Sequence, residues 1–424
     1  MKFRSTRNIA PAASLSEAIC AGQAADGGLF MPETLPAEAV QGAEAASDLA
    51  TFAAGFLAPF FEGDVLEESL ASICTEAFDF PLAEIGLEDG LSVLELFHGP
   101  TGAFKDFGAR FLMACLDRLG DPAAPFTVLA ATSGDTGGAV GCAAEGRSAL
   151  RAVILYPDGR VSPFQAHQLS CWDTPVTTLK VNADFDSCQK LVKSAFSDRN
   201  LTRRHRLTSA NSINIARLLP QAAYLAFTTV RHQAQTGETP GLIIPSGNLG
   251  HGVAALIARA CGAPIRTVVL ATNANATLHD WARSGLYMPR PSVVTIANAM
   301  DVGTPSNFER LEAGHLDVSG LIVERVDDDA IRNRIKADHA RFGYTWCPHS
   351  ACGAEAYARL CQARLGRNWL IAATAHPYKF ADIVEPVIGE AIKPPATLSA
   401  VLDRPMRAED CDADLAALTA YLDL

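Results

Sequence analysis

Apolar positions along the chain follow two alternating periods. Short runs rich in β-branched and aliphatic residues occur at 92–97 (SVLELF), 126–131 (FTVLAA), 152–156 (AVILY), 174–181 (TPVTTLKV), 242–245 (LIIP), 265–271 (IRTVVLA), 321–326 (LIVERV) and 368–373 (NWLIAA). Each predicts a strand. Longer stretches with helical spacing separate most of them. In FGARFLMACLDRLG, Phe107, Phe111, Leu112, Cys115 and Leu119 recur at that spacing and Gly120 closes the pattern. Strands alternating with helices predict an α/β chain with largely parallel open sheets in layers. Residues 1–90 differ, being Ala-rich and mostly helical in pattern, with loop signals at DGGLFMPETLP (26–36). The tail DADLAALTAYLDL predicts a final amphipathic helix. The expected division is a helical N-terminal region (1–90), a catalytic region of two α/β subdomains (91–390) and a helical tail (391–424).

Composition narrows the function classes. A chain of 424 residues, 49% hydrophobic, can bury a large core in more than one domain. A net charge of −12 argues against general binding to nucleic acid or anionic membrane. An acidic chain binds an anion only through local cations or helix N-termini. No apolar run reaches the roughly 18 residues of a membrane span, and MKFRSTRNIAPAASLSEAI lacks the apolar stretch of a secretory signal. The 11 cysteines include no C-x-x-C pair, which suits reduced, buried thiols in a cytoplasmic protein. CPHSAC (Cys347, His349, Cys352) comes nearest to a metal set, but it lacks a fourth ligand and the usual tight spacing, so no metal is expected.

Candidate chemistry lies where strands end, since doubly wound sheets bind ligands at their carboxyl edges. HGPTGAFKDFG (98–108) places Lys105 between aromatic residues, with Asp106 as the expected N-cap of the following helix. A lysine just outside a helix N-terminus and beside Phe104 and Phe107 has its pKa lowered by the dipole and by burial. The free amine is then available as a nucleophile. Read alone, the stretch better fits a surface lysine reaching past Phe104 to Asp106. TSGDTGG (132–138) and SGNLGHG (246–252) are glycine-rich turns that each feed a helix, and TAHPYKF (374–380) follows the last strand. Either turn, taken singly, fits a plain tight connection. Such turns also present backbone N–H groups to an anion. Neither matches G-x-x-x-x-G-K-[ST] or G-x-G-x-x-G, which points away from a nucleotide-binding dehydrogenase and towards a small phosphate or a phosphorylated cofactor. A reactive lysine, a phosphate cradle, a second oxyanion turn and a hydroxyl at a strand end together make the parts of a pyridoxal phosphate site.

On its motifs the chain resembles the threonine synthases, a family of fold-type II pyridoxal-phosphate enzymes. The likeness runs through DGGLFMPETLP, ELFHGPTGAFKDFGARF, ATSGDTGGAV, VILYPDGRVSP, SANSINIARLLPQ, PSGNLGHG, ATNAN, NAMDVGTPSNFER and TAHPYKF, in order and over nearly the whole length. The resemblance implies that Lys105 bonds to the cofactor aldehyde. It implies that Ser246, Gly247, Asn248, Leu249 and Gly250 hold the cofactor phosphate, and that Thr374 meets the pyridine nitrogen. Thr132, Ser133, Asp135 and Thr136 are implied at the substrate carboxylate and cofactor face. Asn211, Ser212, Asn214, Arg217 and, more weakly, Lys379 are candidates for the substrate phosphate. The implied reaction turns O-phospho-L-homoserine and water into L-threonine and phosphate; the alternative is a phospholyase that releases 2-oxobutyrate, ammonia and phosphate from the same substrate. Four positions depart from the family pattern: Leu249 and His251, where the family often has an aromatic and an Asn or Asp in the phosphate loop, His251 being a titratable group or turn cap there, and Gly102 and Gly138, where smaller residues would loosen the pocket.

Overall fold

In this computed structural model, which describes residues 1–132, 134–159, 161–362 and 367–423, two open sheets carry the chain. A small antiparallel ribbon comes first, β1 (Phe3–Ser5) with β2 (Phe30–Pro32). There follow β3 (Ala83–Glu88), β4 (Leu91–Glu95), β5 (Phe126–Ala131), β6 (Leu150–Pro157), β7 (Val176–Val181), β8 (Leu207–Ser209), β9 (Gly241–Pro245), β10 (Val268–Thr272), β11 (Ile322–Arg325), β12 (Trp369–Ala373) and β13 (Glu409–Cys411). One sheet has the order β11-β10-β9-β12-β4-β3 and the other β13-β7-β6-β5-β8. Every pair in them is parallel except the hairpin β3–β4.

All eight apolar runs are strands, most of them shifted by one to three residues at an end. The strands that the pattern did not reveal are short or polar. β3 is an edge strand with exposed positions, and β8 has three residues. The tail also differs from the expected helices alone: Glu409–Cys411 adds a strand along β7, between the helices Ala396–Leu402 and Leu415–Leu422. Backbone pairing to an open edge forms this strand, so side-chain periodicity carries no sign of it.

The N-terminal region joins the main core. Its helix Leu49–Phe61 buries Phe52, Phe56, Phe60 and Phe61. Phe52 meets Phe227 edge-on at 5.3 Å, and Phe61 meets Phe111 at 6.2 Å. Those partners lie on the long helices Ile215–Thr236 and Lys105–Leu119. Each buried phenylalanine contributes on the order of 2–3 kcal/mol, so these contacts hold the region firmly onto the catalytic helices.

Candidate active site

Four loops that follow β4, β5, β9 and β12 converge. The first ends in Lys105, which is the first residue of its helix and not the residue before it. Asp106 accordingly is no N-cap. Its buried carboxylate reaches back to accept the Thr101 N–H (2.9 Å) and hydroxyl (2.6 Å). Burial pushes this acid up to about 6. The loop closes so tightly around it that a Cβ at Gly99 would stand 2.5 Å from Asp106 Oδ2. The amine of Lys105 lies 5.9 Å from the Phe104 ring centre. Burial holds its pKa below the ordinary lysine value; Asp135 opposes the shift, while Arg217 and Lys379 deepen it.

The segment after β12 is stapled to the same loop. Phe104 N–H donates to Thr374 O (2.8 Å), His376 N–H donates to Gly102 O (2.9 Å), and Ala103 bridges Ala375. Thr374 is therefore held one peptide away from the lysine. Its N–H donates to Ser350 Oγ at 2.9 Å, and the two hydroxyls stand 3.4 Å apart.

Residues 246–250 form the cradle between β9 and the helix Gly250–Ala260. Leu249 adopts a left-handed conformation (φ 65°), costly for a leucine and kept only where surroundings enforce it. A Cβ at Gly247 would lie 2.7 Å from Met300 Cα, so only glycine fits. The first-turn amides of that helix have no partners within it. Ser246 Oγ is buried and accepts no hydrogen bond among the described residues. An orphaned hydroxyl, a pinched glycine and a helix N-terminus fit a phosphate group. The Asn248 side chain instead ties loops together, donating to Ser212 Oγ (2.7 Å) and accepting Ser306 N–H (2.5 Å).

At the second turn, Thr132 Oγ1 accepts the N–H groups of Gly134 and Gly137 and donates to Gly134 O, so its hydroxyl shapes the turn. Thr136 is half-buried, and Ser133 lies outside the described residues. Asp135 is buried with Oδ1 3.0 Å from Lys379 Nζ. This is an ion pair by distance, without a directed hydrogen bond to that oxygen. Lys379 also donates to Thr101 O (2.7 Å) and Gln168 Oε1 (2.6 Å), so two of its three donors are used and Asp135 lies beside the ammonium as its counter-charge. Lys379 thus joins the loop of β4 to the turn of β5.

Arg217 is 2% exposed, donates to Ala210 O, and its Nε has no partner among the described residues. Burial pushes its pKa down to about 10. Asn211 and Ser212 are part-buried, and Ser212 Oγ receives Asn248 and Asn307. Asn214 is fully committed: its Oδ1 caps the helix Ile215–Thr236 through Ala216 N–H, and its Nδ2 donates to Ile19 O and Ser209 O.

The departures read differently in three dimensions. Gly102 has φ 67° and meets Leu398; a Cβ at Gly138 would stand 2.9 Å from Gln168. Both positions are filled by neighbours, so neither loosens the pocket. His251 stacks on Phe104 (4.9 Å), bonds the Tyr224 hydroxyl (2.9 Å) and is pushed down to about 3 by burial. It is a neutral packing group at physiological pH.

Sequence reasoning missed His349 and Ser350, which CPHSAC brings to Thr374 and the buried charges. His349 accepts Ala299 N–H at 3.0 Å and is pushed down to about 4 by burial. The thiols of that motif serve elsewhere: Cys347 Sγ contacts Ser350 Oγ (3.1 Å) and Cys352 donates to Pro348 O (3.6 Å). Its signal was a cluster of polar residues opening a helix, read for metal and not for support of a neighbouring loop.

Comparison with known proteins adds the following. A family model described as "Pyridoxal-phosphate dependent enzyme" matches residues 81–373, with "Threonine synthase N terminus" over 2–78 and "Threonine synthase, C-terminal" over 350–422. The chain is 37% identical to threonine synthase of Haemophilus influenzae over 96% of both chains. It is 36% identical to that of Escherichia coli over 99% of this chain and 98% of the relative. The crystal structure of the Escherichia coli protein superposes with a TM-score of 0.90 at 35% identity, covering 100% of this chain and 99% of that one. A PLP-bound threonine synthase from Brucella melitensis superposes with a TM-score of 0.91 at 31% identity, covering 100% and 98%. Tomato threonine deaminase, 16% identical with a TM-score of 0.58, shares the fold.

Proposed function

The chain belongs to the threonine synthase family of pyridoxal-phosphate enzymes, and we propose that Lys105, the cradle Ser246–Gly250 and Thr374 carry its reaction. The reaction is conversion of O-phospho-L-homoserine and water to L-threonine and phosphate. The cofactor supplies an aldehyde for an amine and a ring that accepts electrons from the substrate's carbon.

The observation that carries the reading is the placing of a low-pKa lysine one peptide from Thr374, beside an unsatisfied phosphate cradle. Lys105 would hold the cofactor through its aldehyde, and its amine would take and return protons at the substrate's carbons. Ser246, Gly247 and the amides of Asn248, Leu249 and Gly250 hold the cofactor phosphate. The neutral Thr374 hydroxyl would meet the pyridine nitrogen without a charge to hold a proton there. Thr132, Asp135 and Thr136, with Ser133, form the substrate's carboxylate turn. In this turn Thr132 acts by fixing its shape, and Asp135 by anchoring Lys379.

Arg217, a buried cation with a free Nε and no carboxylate partner among the described residues, is the strongest candidate for the substrate phosphate. Asn211 and Ser212 stand on the same loop. Asn214 and Lys379 support that site through the backbone they hold, since their polar groups are already engaged. We assign the chain to the cytoplasm, where the ten described free cysteines stay reduced. No helix among the described residues is long and apolar enough to cross a membrane.

Lys105→Ala tests the central role. The variant is expected to lose the visible absorbance of lysine-bound cofactor and to lose turnover by several orders of magnitude, while remaining folded. Retained turnover would remove Lys105 from the reaction.

A further inference from the structure

The segment SNFER (306–310) has no part in the chemistry above, yet its side chains reach three parts of the chain. Asn307 grips the Asn248 carbonyl twice, through its backbone N–H (3.4 Å) and its side-chain Nδ2 (3.1 Å). The same Nδ2 donates to Ser212 Oγ at 3.1 Å. Asn307 Oδ1 accepts from the Arg310 guanidinium. An amide whose oxygen faces a guanidinium must turn its NH2 away, so Arg310 decides which end of Asn307 meets Asn248. Arg310 is 0% exposed and has no carboxylate within ion-pair distance among the described residues. Burial pushes its pKa down to about 9, which leaves it charged at neutral pH. Its other donors go to Phe30 O (3.3 and 3.2 Å) and Ile213 O (2.6 Å). Glu309 meanwhile accepts from Thr6 Oγ1 (2.7 Å) and Arg7 Nε (2.9 Å). One short segment thus grips the N-terminal region with Glu309 and Arg310 and the cradle with Ser306 and Asn307.

The consequence for the cradle follows from peptide geometry. The Asn248 carbonyl and the Leu249 N–H belong to one planar trans unit and point in opposite directions. Holding the carbonyl on the Asn307 side aims that N–H to the other side. It also fixes the strained left-handed turn at Leu249 that starts the helix.

We propose that Asn307 and Arg310 are positioning residues that hold the Ser246–Gly250 loop in its phosphate-binding shape and make that shape depend on the docking of the N-terminal region at Phe30. The proposal rests on the reading of that loop as the phosphate cradle.

The test uses two probes that differ only in the phosphate. Apo-protein is titrated with pyridoxal phosphate and with pyridoxal, following the absorbance of the lysine-bound form; thermal melts of the apo-protein report folding. Asn307→Ala removes the side-chain donor without adding charge. Asn307→Asp keeps an acceptor for Arg310 but faces the Asn248 carbonyl with an oxygen. Both are expected to raise the Kd for pyridoxal phosphate about tenfold or more, the scale of a lost buried hydrogen bond, with the Kd for pyridoxal unchanged. Arg310→Lys, which cannot reach Phe30 O, Ile213 O and Asn307 together, is expected to give the same phosphate-selective loss. Unchanged affinity for pyridoxal phosphate in the Asn307 variants overturns the relay, and so does equal weakening of both probes. Should Arg310→Lys not fold, the two Asn307 variants decide. Wild-type protein and Gly247→Ala separate the two levels. If wild type binds both probes alike and Gly247→Ala changes nothing, the cradle itself is misassigned. If wild type favours the phosphorylated probe and Gly247→Ala weakens it while the Asn307 variants do not, only the relay fails.

Discussion

Burial acts on two bases at the site with different results. Lys105 stands at the head of its helix, and burial lowers its pKa, which favours the free amine. His251 is sealed between Phe104 and Tyr224, and its pKa of about 3 keeps it neutral. The folded-state value lies below the ordinary value of 6.5, so the unfolded chain binds the proton first. Stability from this residue is complete above pH 6.5 and is lost as pH falls towards 3. His251→Gln keeps a partner for the Tyr224 hydroxyl and cannot titrate. Chemical denaturation at a series of pH values should show the variant losing less stability than wild type below pH 6.5, by about 1.4 kcal/mol per pH unit. Parallel curves would mean that His251 is protonated in the folded chain. The lowered pKa of Lys105 was legible in the sequence, because the helix start and its neighbours Phe104 and Phe107 are adjacent in the chain. The neutrality of His251 was not, because Tyr224 and Phe104 come from other segments.

At the scale of elements, the turns after strands were readable, and the distinction between shaping and binding residues was not. Thr132, Asn214 and Lys379 have the residue types of ligand contacts, yet their polar atoms close turns, cap helices and tie loops. Only the partners reveal this, and they lie up to 278 positions away, as in Lys379 to Thr101. Asn214 gives the clearest test. Asn214→Ala removes a helix cap and leaves the buried carbonyls of Ile19 and Ser209 short of a donor. Unfolding free energy should fall by on the order of 2–4 kcal/mol, with KM for the phosphorylated substrate nearly unchanged. A large rise in KM at unchanged stability would return Asn214 to the substrate site. The strands missed by pattern make the same point. β13 exists because β7 offers an edge, and nothing in EDC announces it.

The whole molecule places buried cations inside an acidic chain. Net charge is −12, yet Arg217, Lys379 and Arg310 are each 2% exposed or less and lie around loops that would hold two phosphates. The surface charge therefore says little about the ligand, and the interior charge says much. The alternation of strands and helices revealed the α/β architecture, and the order of motifs revealed the family. Packing of the N-terminal region on the catalytic helices was not legible, since its aromatic partners Phe111 and Phe227 sit far along the chain.

Product identity tests the account most directly. Purified protein with pyridoxal phosphate is incubated with O-phospho-L-homoserine, and threonine, 2-oxobutyrate and phosphate are measured together. Threonine and phosphate in equal amounts, with no 2-oxobutyrate, is the result expected of this site. Phosphate matched by 2-oxobutyrate, or no phosphate released at all, would contradict it.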